Sequence, residues 1–252
     1  MIIAQISDTH IALDTPDADQ RILDFERTIS NINGLDPPPD MVIHTGDIVQ
    51  NGRLDEYALA AEVLQKAMAP VFVMVGNKDE RSNFRSVFSS ASYLTPENEF
   101  VAYSIEDFAV RIIVLDTLNP GSNKGNFCEK RIANLTEMLN ADTNKPVAIF
   151  AHHPPFLVSE GPDPLHFESI EIMERFRHEL LRYTLIKSIF CGHVHRGVAG
   201  YVGNIPVLVM PSIATTLRRG DYPPELETSP VYHVHEFEDD WGFSSVLHVV
   251  GD

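Results

Sequence analysis

Five short apolar runs in this chain are each followed at once by residues able to bind a metal, and this placement restricts the possible folds more than any other feature. Residues 2–6 lead into Asp8-Thr9-His10, residues 41–43 into Gly46-Asp47, and residues 71–75 into Gly76-Asn77-Lys78-Asp79. Residues 147–150 lead into His152-His153-Pro154-Pro155, and a run ending at Phe190 leads into Gly192-His193-Val194-His195. Two further runs, 111–115 and 207–210, have the same character. All are short, rich in β-branched residues and bounded by Gly, Pro or charge, as buried strands are. Side chains that follow strands gather at one edge of a sheet, where ligands bind in open α/β folds.

Between the runs, residues 20–33 place Ile22, Phe25, Ile29 and Ile32 on one helical face. Residues 55–68, 129–139 and 169–183 repeat the pattern. Strands alternating with helices predict a layered α/β fold. Residues 156–167 hold two prolines, a glycine and no helical period, which predicts a long loop of the kind that shapes binding sites. A second irregular stretch, Arg218-Arg219-Gly220-Asp221-Tyr222-Pro223-Pro224, precedes a C-terminal pattern that reads as a hairpin over 231–250. We therefore expect one domain, with a core over 1–215 and a C-terminal loop and β-hairpin appendage over 216–252.

Composition excludes several functions. The 252 residues carry a formal net charge of −17, which repels nucleic-acid backbones and anionic membranes, and no basic stripe interleaved with aromatics compensates for it. Polymeric nucleic acid is not an expected partner. No apolar run reaches the ~20 residues of a membrane-spanning helix, and the N-terminus lacks the pattern of a signal peptide. Cys128 and Cys191 are too few for a disulfide framework. A cytoplasmic setting is the expectation.

Taken singly, an Asp after a strand reads as a helix cap and a lone His as a satisfied structural residue. His233-Val234-His235, inside an alternating strand pattern, reads as structural for that reason. The five segments in this order, however, resemble the calcineurin-like metallophosphoesterase superfamily, and within it the bacterial branch of class III cyclic nucleotide phosphodiesterases and glycerophosphodiesterases. The resemblance extends over most of residues 1–215. It implies a four-layer α/β/β/α sandwich with a dinuclear metal centre at one rim. Asp8, His10 and His195 are then expected to hold one divalent ion and Asn77, His152 and His193 the other, with Asp47 bridging them. Imidazole and carboxylate donors without thiolate suit manganese, iron, zinc or cobalt better than calcium. A hydroxide between the ions would act as nucleophile on a small phosphodiester, such as a cyclic nucleotide like cAMP or a glycerophosphodiester. Asn77 and His153 are the candidate substrate contacts.

The pattern departs from the family at Lys78, where relatives usually carry a His that stabilises the transition state or protonates the leaving oxygen. Lysine remains a donor for a phosphoryl oxyanion but, with an ordinary pKa of ~10.4, is a poor acid at neutral pH. Three readings stay open: an electrostatic stabiliser, a mark of altered substrate preference, or a surface residue with catalysis moved elsewhere. A phosphomonoesterase on the same scaffold and a non-catalytic metal-binding interaction module are the alternatives to the diesterase. Asp79 is by default a solvated carboxylate at a helix start, Asp116 a structural carboxylate, and Lys124 either an exposed loop cation or a phosphate contact. The long loop and the hairpin are the expected contacts of a homo-oligomer.

Overall fold

A computed structural model describes residues 1–95, 98–161 and 163–251, with Glu225 described only in its backbone. In chain order the elements are β1 (Ile2–Ile6), α1 (Ala18–Asn33), β2 (Met41–His44), α2 (Leu54–Leu64), β3 (Val71–Val73), α3 (Arg81–Val87), β4 (Tyr103–Ile105), β5 (Arg111–Leu115) and α4 (Glu129–Ala141). They continue with β6 (Val147–Ala151), α5 (Ile170–Leu180), β7 (Ile186–Cys191), β8 (Val198–Val202), β9 (Ile205–Val209), a 3₁₀ turn at Thr215–Leu217, α6 (Pro224–Glu227), β10 (Val231–Glu238) and β11 (Gly242–Val249).

The strands form two mixed sheets. One has the order β11-β10-β1-β2-β3 and the other β4-β5-β6-β7-β9-β8. Period-two alternation explains how the second sheet is buried on both faces. On β5, Ile112 and Val114 join the core shared with the first sheet, whereas Ile113 and Leu115 join the core under α4 and α5. β6 divides the same way, with Ala148 and Phe150 on the inner side and Val147, Ile149 and Ala151 on the outer. Phe190 of β7 ties the sheets together, its ring lying 5.0 Å from Phe150 and 5.2 Å from Phe243 of β11. The first sheet is covered by α1 through Phe25, Ile29 and Ile32, by α2 through Tyr57, Ala60 and Val63, and by α3 through Phe84. The layers are therefore helix, sheet, sheet, helix.

Local chemistry sets the helix limits. Ser169 caps α5 by accepting from the Ile172 N–H, and the face Met173, Phe176 and Leu180 is buried. Full burial of each of these side chains contributes about 1.5–3 kcal/mol. Helix α2 ends at Leu64 rather than running to 68. Lys66 and Ala67 bond only three residues back, and Ala69 stands before Pro70, where helical backbone is disfavoured. The sequence pattern gives no sign of α3, β4 or β8. α3 is seven residues long and buries one side chain, and β8 is an edge strand that is largely exposed. The C-terminal hairpin belongs to the first sheet, since β10 pairs antiparallel with β1 from Ile2↔Glu236 to Gln5↔His233. His235 is satisfied there by Gln5 Oε1 at 2.9 Å and Ser245 Oγ at 2.7 Å. Among the described residues no helix is long and apolar enough to cross a membrane.

Candidate metal centre

The carboxyl ends of β1, β2, β3, β6 and β7 meet at one rim of the sandwich. Asp8 (φ 56°), His10 (46°), Asp47 (51°), His193 (73°) and His195 (62°) are the non-glycine residues with left-handed backbone among those described. Such backbone costs about 1–3 kcal/mol per residue and persists only where surrounding contacts enforce it. Here the contacts are backbone bonds between the first two loops, Asp8 N–H to Gly46 O at 3.1 Å and His10 N–H to Asp47 O at 3.0 Å. The Ser212 hydroxyl also donates to Asp8 O at 2.8 Å. Two glycines permit the close approach: a Cβ on Gly192 would strike Ser7 Oγ, and one on Gly76 would strike Asp47 Oδ1 and lie 2.7 Å from the His152 ring.

Two groups of donor atoms result. His10 Nε2 and His195 Nε2 lie 2.9 Å apart, and Asp8 Oδ1 is 3.7 Å from the first and 3.4 Å from the second. In the other group Asn77 Oδ1 lies 2.8 Å from His193 Nδ1 and 3.2 Å from His152 Nε2. Asp47 stands between them, with Oδ2 3.5 Å from His10 Nε2 and Oδ1 3.5 Å from His152 Nε2. All seven residues expected as ligands thus come together, each cluster served by a different oxygen of Asp47.

The hydrogen-bond pattern fits cations in both groups. His195 Nδ1 faces the Leu217 carbonyl at 3.0 Å and His152 Nδ1 the Thr45 carbonyl at 2.7 Å. A carbonyl only accepts, so each Nδ1 carries a proton and each Nε2 presents its lone pair to carboxylate or amide oxygens. Opposed lone pairs need positive charge between them. In the metal-free protein protons supply it. Burial would lower the His152 imidazole, but the charge and hydrogen bond of Asp47 outweigh burial and lift it to about 9. His195 is raised in the same way, against burial, by Asp8. Burial would raise Asp47, yet His152 holds it down at about 2. No thiolate competes, since Cys191 is buried in apolar surroundings that push its thiol up. The imidazole, carboxylate and amide donors could hold divalent metal ions.

The remaining predicted residues lie around this centre. The Lys78 N–H donates to Asp47 Oδ1 at 2.7 Å and its Nζ to Asn123 Oδ1 at 3.0 Å. His153 also sits in the second cluster, but both its nitrogens have protein partners, Thr117 Oγ1 at 2.7 Å and Asn123 O at 3.3 Å. It holds the Asn123 loop, which in turn carries the partner of Lys78. Lys124 pairs with Asp163 at 2.9 Å. Asp79 is not solvated: it is buried and accepts from the Gly76 N–H at 2.8 Å and the Tyr57 hydroxyl at 2.9 Å. Burial, then Asp47, pushes it up to about 7. Asp116 receives two Arg81 nitrogens at 2.7 Å and is structural.

Sequence patterns did not mark His44. It ends β2, accepts the Gly46 N–H and reaches Thr9 Oγ1 at 2.9 Å, so it buttresses two ligand loops. The site opens into a cavity of about 630 Å³. Lys78, Asn123 and Lys124 line it, the long loop adds Glu160, Asp163 and His166, and Arg196 and Arg219 complete the wall.

The model of the calcineurin-like phosphoesterase family matches residues 1–197. The chain belongs to that family. This calcineurin-like phosphoesterase is 33% identical over 260 residues to a probable glycerophosphodiester phosphodiesterase of Arcobacter nitrofigilis, covering 100% of this chain and 94% of the relative. It is 27% identical over 214 residues to a 3′,5′-cyclic adenosine monophosphate phosphodiesterase of Vibrio vulnificus, covering 83% and 75% of the two chains. Among solved structures, a dimetal phosphatase from Danio rerio superimposes with a TM-score of 0.71 at 15% identity, over 100% of this chain and 99% of that one. The last likeness is one of fold.

Proposed function

We propose that this calcineurin-like phosphoesterase hydrolyses small phosphodiesters at a dinuclear centre. The observation that carries this reading is Asp47, whose two oxygens each face a separate group of donors 3.5 Å away. Asp8, His10, His195 and Asp47 would hold one divalent ion, and Asn77, His152, His193 and Asp47 the other. When bound, two such ions would polarise the phosphoryl oxygens and lower the pKa of the attacking water.

The chain's own residues do the rest. Asn77 and Lys78 sit at the mouth of the site, where the Lys78 ammonium stabilises charge on a phosphoryl oxygen and on the leaving group. Asn123 Oδ1 keeps that ammonium at the cavity wall. His153 acts on substrate through the Asn123 loop that it holds. Glycerophosphodiesters and cyclic nucleotides, named in the relatives, are the candidate substrates. Residues 1–215 and 216–252 form one domain in this reading, supported by the pairing of β10 with β1. A cytoplasmic homo-oligomer completes it, and the exposed apolar edge of β11, with Val246, Leu247 and Val249, supports assembly.

The test is hydrolysis of bis(p-nitrophenyl) phosphate against p-nitrophenyl phosphate by metal-stripped protein restored with manganese, iron, cobalt or zinc. Metal-dependent turnover favouring the diester is expected. Preference for the monoester would replace the reading with a phosphatase.

A further inference from the structure

The irregular stretch after the 3₁₀ turn reaches the metal centre. The Leu217 carbonyl accepts from His195 Nδ1 at 3.0 Å, and the Arg219 N–H donates to His195 O at 2.8 Å. The segment is thus fixed against both ends of one ligand residue, and its two neighbouring arginines take different roles. Arg218 lies over the Tyr222 ring, 4.5 Å from its centroid, and donates to the carbonyls of Leu226, Glu227 and Ser229. Its two terminal nitrogens are used in shaping the loop. Arg219 and Arg196, the residue after His195, have no side-chain hydrogen bond or ion pair among the described residues.

Both free guanidinium side chains line the metal-site cavity, and both line a second cleft of about 340 Å³ that also includes Tyr222 and His233. They stand where the two spaces adjoin. The other cations of the cavity are occupied, Lys78 by Asn123 and Lys124 by Asp163. Glu160 faces both spaces and Asp221 the second, and neither pairs with these arginines. His233 brings a buried Nδ1 that has no partner. A guanidinium presents a planar fork of donors matched to phosphate or carboxylate oxygens. In a chain of net charge −17, two such groups left unpaired beside a phosphoester site are suited to an anion brought by the substrate.

We infer that Arg196 and Arg219 recognise a second anionic group, a phosphate or a carboxylate, on the non-leaving arm of the diester. This rests on the diesterase reading above and narrows it: open-chain diesters bearing a second anion are preferred over diesters whose arm is neutral, cyclic monophosphates included. Arg219 is exposed, so the preference weakens as salt rises.

Three p-nitrophenyl phosphodiesters that share a leaving group and differ in the other arm, 2-hydroxyethyl, 2-carboxyethyl or 2-phosphoethyl, test this with metal-loaded enzyme. The expected result is kcat/KM at least about tenfold higher for an anionic arm than for the hydroxyethyl arm, the larger ratio identifying the anion. Arg196→Gln and Arg219→Gln, which remove no side-chain hydrogen bond or ion pair among the described residues, should each bring that ratio toward one. The Kd values of the non-hydrolysable methylenephosphonate analogues should follow the same order without turnover. Turnover of all three esters with a ratio near one, or a ratio unmoved in both variants, overturns the inference and leaves the diesterase reading standing. Absence of turnover with all three esters overturns that reading itself.

Discussion

Metal binding to this protein should be strongly pH-dependent, because His152 must give up a proton to act as a ligand. Buried beside Asp47, that imidazole is lifted from its ordinary 6.5 to about 9 in the metal-free fold. A ligand with an ordinary pKa would stop competing with the metal above 6.5, whereas His152 keeps competing until about 9. Each pH unit in that window should raise apparent affinity about tenfold, about 300-fold in all. The same shift acts on stability in the opposite direction. A raised pKa favours the protonated fold, so His152 contributes stability that is fully present below 6.5 and lost as the pH rises through about 9, roughly 3 kcal/mol in the metal-free protein. Asp47→Asn removes the charge that lifts the imidazole. Burial then dominates, the rise in affinity with pH should end at lower pH, and the affinity at its plateau should be weaker. Calorimetric titration of stripped protein with Mn²⁺ between pH 6 and 9.5, in buffers of different protonation enthalpy, reads both affinity and proton release. Affinity that is flat from 6.5 to 9 with no proton released would refute the reasoning.

Lys78→His should leave metal binding intact and move the pH–rate profile or the range of leaving groups accepted, since an imidazole can act as an acid near neutrality; identical profiles for aryl and alkyl esters would remove Lys78 from the chemistry. Gly76→Ala replaces no candidate ligand, yet its Cβ would collide with Asp47 and crowd His152, so weakened Mn²⁺ binding by at least about tenfold and a destabilisation of ~2 kcal/mol or more are expected by calorimetry and urea unfolding. His44 is buried neutral, and burial first, then neighbouring histidines, pushes it down to about 3. Its stabilising contribution is full above 6.5 and declines by about 1.4 kcal/mol per pH unit as the pH falls toward 3. In metal-loaded protein, His44→Gln should flatten the dependence of the urea midpoint on pH between 6.5 and 4.5, and an unchanged slope would contradict its neutral burial.

The candidate metal ligands were legible because the five segments that follow short apolar strands resemble, in this order, the calcineurin-like metallophosphoesterase pattern, and parallel strands bring their carboxyl ends to one rim. Asp8 and Asp47 needed no knowledge of distant contacts beyond that. Asp79 did: nothing in Gly76-Asn77-Lys78-Asp79 says that Tyr57, far earlier in the chain, will cover its carboxylate. The same holds for His153, whose neighbours Thr117 and Asn123 come from another loop, and for Arg219, placed by a backbone bond to His195 across a span that contains two strands. The alternation of strands and helices was legible from periodicity where helices are long and strands doubly buried, and the four-layer stacking from the family resemblance. Short α3 and exposed β8 bury too little apolar surface to leave a pattern. The C-terminal hairpin was visible as a hairpin, but its place beside β1 depends on pairing between opposite ends of the chain.

The most direct test of the centre is to add Mn²⁺ stepwise to metal-stripped protein and follow bis(p-nitrophenyl) phosphate turnover against ions bound per chain. Because Asp47 offers one oxygen to each of two donor groups, turnover should be small with one ion bound and rise as the second site fills. Full turnover with one ion bound, or without metal, would contradict a bridged dinuclear site.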